Sequence, residues 1–129
     1  MLAPTITNFA PNGMIQTKDL TPHVPISVSE VVEDDLAAYE CGITMTHIHA
    51  RDQQTGIPTY DAEIYGLTIE GIRRYAPELI IYVSLSGCNS PEFEKHEASL
   101  QLDGNLKPDM GSLTHGFHEF PAQDISQCP

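Results

Sequence analysis

Four short runs rich in apolar and β-branched residues begin near Ile6, Ile43, Leu79 and Asp109, with helix-like segments between them. This alternation leaves few folds open, because strand, helix, strand in regular succession means βαβ units and a parallel sheet. The first run, Pro4 to Ala10, is closed by the turn cluster Pro11-Asn12-Gly13. The second, Ile43 to His49, ends in the Arg51-Asp52 pair and a loop from Gln53 to Pro58. Leu79 to Val83 is continuously apolar, which predicts a strand buried on both faces. Asp109 to Leu113 makes a short fourth strand.

The first helix is announced by the capping-box pattern Ser27-Val-Ser-Glu30 and stopped by Gly42. Val28, Val32, Leu36 and Tyr39 form its apolar stripe, and Glu30, Glu33, Asp34 and Asp35, with Asp19 in the loop before, are expected on a solvated face. Asp61 caps the second helix, where Ile64, Leu67, Ile72 and Tyr75 are the expected buried stripe and Pro77 the stop. A weaker third helix is expected from Pro91 to about Leu100, and residues 114–129 read as an irregular tail.

Even spacing and short helix-to-strand links suit a barrel, and no G-x-G-x-x-G follows the first strand, as a dinucleotide fold would require. A complete (β/α)8 barrel takes roughly 250 residues. The 129 residues therefore correspond to about four βα units, so that residues 1–129 are expected to be the N-terminal half of a TIM-barrel domain. Such a half exposes two strand edges and an apolar inner face, which predicts a homo-oligomer or a complementary half-barrel chain. With 18 acidic against 6 Lys and Arg side chains and a net charge of -12, nucleic acid and anionic membranes are excluded as partners. Cys41, Cys88 and Cys128 lack zinc-type spacing, and no apolar stretch approaches membrane-spanning length, so a reduced, cytoplasmic protein is expected.

Chemistry concentrates in His47-Ile48-His49. Strand side chains at i and i+2 share a face, so both imidazoles can approach one metal ion at the strand end where barrel active sites form. The bland alternative is a hydrogen-bonded structural pair. Arg51 and Asp52 could orient the imidazoles, but a loop-fixing ion network is the plainer reading. Ser84, Ser86 and Gly87 after the third strand, and Ser112 and Thr114 after the fourth, would converge on the same mouth, with hydroxyls and N–H groups suited to a carboxylate or keto oxygen. No base accompanies any of these serines in sequence, which argues against a nucleophile. His115, His118 and Glu119 could supply further ligands, though a solvated tail is the simpler reading. A metal-dependent hydrolase barrel is a rival class, and a non-catalytic remnant or assembly subunit is another.

Thr7-Asn-Phe-Ala-Pro-Asn-Gly13, Pro25-Ile-Ser27, Met45-Thr-His-Ile-His-Ala-Arg-Asp52, Leu79-Ile-Ile-Tyr-Val-Ser84 and Lys107-Pro-Asp-Met-Gly-Ser-Leu113 together resemble the first half of the β-keto acid cleavage enzymes. The resemblance implies a (β/α)8 barrel with a divalent metal, usually Zn2+, held by His47, His49 and a glutamate from the second half. It also implies substrate contacts from Ser84, Gly87, Ser112 and Thr114, with Thr114 in place of a common asparagine. The implied reaction uses acetyl-CoA as co-substrate to cleave a β-keto acid, releasing acetoacetate and a new acyl-CoA. The general base and its helper arginine belong to the second half. Ile15 occupies the position of an amine-binding glutamate in the aminohexanoate-cleaving members, so that substrate is not assigned.

Overall fold

The computed structural model describes residues 3–85 and 97–112. Four strands, β1 (Asn8–Phe9), β2 (Met45–Ile48), β3 (Ile80–Val83) and β4 (Met110–Gly111), form one sheet in the order β1-β2-β3-β4. Every neighbouring pair is parallel. Strands laid down in sequence order, without a reversal, make a barrel wall rather than a doubly wound sheet. The expected α/β architecture of a partial (β/α)8 barrel is what the chain adopts.

Helix α1 (Val28–Glu40) begins as its sequence dictates: the Ser27 hydroxyl accepts from the Glu30 N–H, and the Glu30 carboxylate accepts from the Ser27 N–H. Lys18 holds that carboxylate at 2.5 Å, and with the Ser27 and Ile26 N–H groups it lowers the Glu30 pKa to about 2. The helix ends at Gly42, φ +96°, where the Gly42 and Ile43 N–H groups return to the carbonyls of Tyr39 and Ala38. Only glycine takes that backbone conformation without strain. Helix α2 (Ala62–Tyr75) starts at the Asp61 carboxylate, which accepts from Glu63 N–H, and stops at Ala76, just before Pro77.

Both helices are rotated from the expected orientation. In α1 the fully buried residues are Val31 and Asp35, with Val32, Leu36 and Tyr39 only partly buried against the core. Asp35 is 0% exposed, which corrects its assignment to a solvated face. In α2, Tyr65, Gly66, Thr68, Ile69 and Ile72 are buried, whereas Leu67 and Tyr75 are 49% and 68% exposed. The cause is that each helix packs on the sheet and on a neighbouring element at once. Helix α2 meets α1 on one side and Leu102 and Leu106 near Gly66 on the other. Periodicity locates an apolar arc but not which edge of it meets the sheet.

The core lies between sheet and helices, where Ile48, Ile81 and Val83 meet Ile69, Ile72, Leu79 and Val31. The opposite face is more open. Ile80 is 37% exposed and Tyr82 half-buried, so β3 is covered on one face only, contrary to the continuous apolar run. Four strands cannot close a barrel around that inner face. In the third crossover, Glu97–Gln101 is a short 3₁₀ helix where the end of an α-helix is expected, and a second short 3₁₀ helix, Gly104–Leu106, follows it. Residues 91–96 and the tail 114–129 lie outside the described residues.

Helices α1 and α2 touch at Gly71, where an added Cβ would stand 2.7 Å and 3.3 Å from the two γ-methyls of Val32. Val32 is β-branched and held to one rotamer in a helix, so it cannot swing aside. Alanine would gain about 1 kcal/mol of helix propensity, against about 1–3 kcal/mol of overpacking. Gly71→Ala is therefore expected to lower the urea midpoint. A rise would mean that α1 can retreat freely.

Candidate metal centre at the strand ends

Helix-facing and inner-facing residues alternate along β2: Thr46, Ile48 and Ala50 are buried, while Met45, His47 and His49 are half-buried on the other face. Sequence parity thus puts both imidazoles on one face, and their ring centroids stand 4.8 Å apart, edge to face. His47 pairs with Tyr82 across the ladder, with ring centroids at 4.3 Å. The tyrosine ring limits how His47 can turn. His47 Nδ1 is buried without a hydrogen-bond partner.

Burial lowers the pKa of His47. It also lowers that of His49, to about 4, with further depression from the nearby His47 and Arg51 charges. Both rings are consequently neutral near pH 7, and a neutral imidazole is the form that ligates a metal. An orphaned buried ring nitrogen beside a second imidazole fits a borderline cation such as Zn2+. No third His, Cys, Asp or Glu joins the pair among the described residues.

The backbone at His49 is gripped from the β1–α1 loop. Asn12 is 7% exposed; its Nδ2 donates to the carbonyls of His49 at 3.1 Å and Pro25 at 3.2 Å, and its Oδ1 accepts from His49 N–H at 3.2 Å. Arg51, 1% exposed, donates from Nη1 to the Gly56 carbonyl at 2.9 Å and from Nη2 to the Gly13 carbonyl. Burial pushes its pKa down, and its Nε is unpartnered. Asp52 instead fixes its own turn, accepting from the Thr55 N–H, the Thr55 hydroxyl and the Gln54 N–H, which lower its pKa. The pair does fix loops, through carbonyls and N–H groups rather than through a mutual ion pair.

Ser84 lies just past β3, 4% exposed, and its N–H extends the ladder to the Ile48 carbonyl. By alternation from Tyr82 it belongs to the face of the imidazoles. The buried Tyr65 hydroxyl, its pKa pushed up to about 12 by burial, donates to the Ser84 carbonyl at 3.0 Å. Ser112 follows β4, and its hydroxyl oxygen accepts from Leu85 N–H at 2.8 Å. That bond joins the ends of β3 and β4 and leaves the hydroxyl proton free to donate. Ser86, Gly87, Thr114, His115, His118 and Glu119 lie outside the described residues. The sequence reading missed Asn12 as anything but a turn residue and Tyr82 as anything but core, since their partners are set by tertiary contact.

Fold and site together define a class: parallel α/β barrel-type proteins with a histidine pair at the C-terminal end of a strand. Comparison with known proteins narrows it. Residues 4–127 match the β-keto acid cleavage enzyme family, and the chain belongs to that family. It is 37% identical to a 3-oxoadipate:acetyl-CoA acetyltransferase of Cupriavidus necator, across 100% of this chain and 43% of that protein. A 3-keto-5-aminohexanoate cleavage enzyme of Acetoanaerobium sticklandii is 31% identical across 88% of the chain and 40% of its own length. The chain thus spans less than half the length of these relatives. Among solved structures, the apo form of ObcA superimposes with a TM-score of 0.61 at 18% identity, covering 71% of this chain and 23% of that one. That likeness concerns the fold.

Proposed function

We propose that this chain is the metal-binding half of an acetyl-CoA-dependent β-keto acid cleavage enzyme, working in the cytoplasm and active when the remaining half completes the barrel. The observation that carries the reading is the partly buried His47 and His49 pair on the inner face beside Tyr82, in a chain of this family. His47 and His49 would hold a divalent cation, Zn2+ first among candidates, whose contribution is to polarise a substrate carbonyl as a Lewis acid. The Ser112 hydroxyl can donate to a substrate carboxylate or keto oxygen while its own oxygen stays bound to Leu85 N–H. By strand parity with Tyr82, Ser84 falls on the same face as the imidazoles at the end of β3. Gly87 and Thr114 are assigned to substrate binding from their places after β3 and β4.

In the proposed reaction the acetyl group of acetyl-CoA passes to the carboxymethyl carbon of the β-keto acid, and the acyl group passes to CoA. The products are acetoacetate and a new acyl-CoA, which balances both carbon and sulfur. Ile15, 40% exposed in the β1–α1 loop, is apolar and itself offers no charge to an amino group. A third, acidic ligand and a general base are expected from the complementary half.

The experiment combines assembly and activity. Sedimentation of the chain alone at low micromolar concentration is expected to show a dimer or larger species, because among the described residues no strand pairs with the outer edges of β1 and β4. Addition of the remaining barrel segment of a relative is expected to give a 1:1 complex that converts acetyl-CoA and a β-keto acid to a new acyl-CoA. Hydrolysis of esters or amides by that complex without acyl-CoA formation would reject the reading. A 14.2 kDa monomer that unfolds cooperatively would reject the half-barrel assembly.

A further inference from the structure

We propose that Asn12 is a positioning residue for the histidine pair: its buried carboxamide stands in for a strand residue and sets where the His49 imidazole lies. The proposal rests on reading His47 and His49 as metal ligands.

The β1–β2 ladder ends after two pairs, Asn8 with Met45 and Phe9 with Thr46. Pro11 then turns the chain away, and a proline has no N–H to donate. Asn12 takes up the backbone of His49, the residue just after β2. It accepts from the N–H and donates to the carbonyl of the same residue, His49, the two-bond exchange that facing residues make in an antiparallel pair, so the carboxamide clasps this one residue where the parallel β1–β2 ladder has ended. The second amide hydrogen goes to the Pro25 carbonyl, tying the start of α1 to the same point. These contacts also fix the orientation of the amide, because a flipped group would set NH2 against the His49 N–H.

The two histidines are therefore held differently. His47 lies inside β2, with a ladder partner and a ring packed on it. His49 lies one residue beyond the last β2–β3 pair, Ile48 with Val83, and its N–H and carbonyl are bonded by Asn12. The Arg51 guanidinium fastens the Gly13 carbonyl two residues further on, so Asn12 and Gly13 are held along the 49–51 segment at two points. Without the carboxamide, a part-buried N–H and carbonyl lose their partners, and the segment gains freedom where the imidazole is attached.

The test is Zn2+ binding by the full chain, followed by calorimetry and by the imidazole 15N resonances. Asn12→Ala, and Asn12→Ser as a smaller polar variant unable to span both His49 groups, are compared with wild type under conditions where circular dichroism shows them folded. Both are expected to bind Zn2+ about 10- to 100-fold more weakly, the range seen when groups that orient a ligand are removed. In both, the His47 resonances should still shift on Zn2+ addition while those of His49 shift weakly. A purely structural asparagine would lower the melting temperature and leave affinity and both ring signals unchanged, which overturns the proposal. Loss of fold in both variants would overturn it as well, since the residue would then be a general structural one. The double variant His47→Ala, His49→Ala separates the two readings. Zn2+ binding that survives there removes the metal site and this proposal together, whereas binding lost there but intact in both Asn12 variants removes the positioning role alone.

Discussion

Asp35→Asn is expected to change the pH dependence of stability by about 4 kcal/mol between pH 4 and pH 8. Asp35 lies under α1 with no exposed surface; Thr46 Oγ1 donates to its Oδ1 at 2.5 Å, and Oδ2 has no partner. Burial, reinforced by the neighbouring Asp34 charge and opposed by the Thr46 bond, pushes its pKa up from 3.8 to about 7. A carboxyl whose folded pKa is raised stabilises the fold fully below its unfolded pKa and loses that contribution as pH rises through the folded value. The window is therefore pH 4 to 7, and a shift of this size corresponds to about 4 kcal/mol. Asparagine keeps the acceptor for Thr46 and cannot ionise. It also places an NH2 group at the unpartnered position, a pH-independent cost of about 1–3 kcal/mol.

His47 and His49 push the other way, because their lowered pKa values withdraw stability as pH falls below about 6.5. The informative quantity is thus the difference between variant and wild type, in which the histidines cancel. Urea unfolding at steps from pH 4 to pH 8 should show the variant less stable than wild type at the acid end and gaining relative to it with each step. A difference that stays flat across the series would show that Asp35 ionises normally.

His47→Ala with His49→Ala is expected to remove Zn2+ binding almost entirely. Four-ligand structural zinc sites bind with roughly 10–16 kcal/mol, so each ligand accounts for about 3 kcal/mol. Two imidazoles alone then give a dissociation constant on the order of tens of micromolar or weaker. Losing both should weaken binding by about 10⁴-fold, leaving only nonspecific association with the acidic surface. Zn2+ titration by calorimetry measures this directly. Unchanged affinity would mean that the metal sits elsewhere, with His118 and Glu119 of the tail the next to substitute. If Glu119→Ala and His118→Ala each weakened binding as much as His47→Ala, the tail would be part of the site.

Much of this was legible in the residues. The capping box at Ser27 and Glu30, the Asp61 cap and the stops at Gly42 and Pro77 are local chemistry, and each helix begins and ends where that chemistry says. Strand alternation is equally local, so placing His47 and His49 on one face needed only their spacing of two. Helix rotation was misread, most plainly at Leu67, Tyr75 and Asp35. A helical wheel ranks faces by polarity, and Asp35 became tolerable inside only because Thr46, eleven residues later and on another element, donates to it.

The order of elements, the parallel sheet they form and the placing of two imidazoles at a strand end all follow from periods of 2 and 3.6 residues and from capping chemistry within a few positions. Which loop grips that strand end depends on contacts between distant parts of the chain. Asn12 and His49 are 37 residues apart, as are Thr7 and Thr44 at the other end of the β1–β2 contact. Such bonds exist because the first crossover brings β1 beside β2 in one register, and a carboxamide after a proline carries no mark of whether it will face solvent or a neighbouring backbone. Burial decides that, by leaving the His49 N–H and carbonyl no better partner than Asn12.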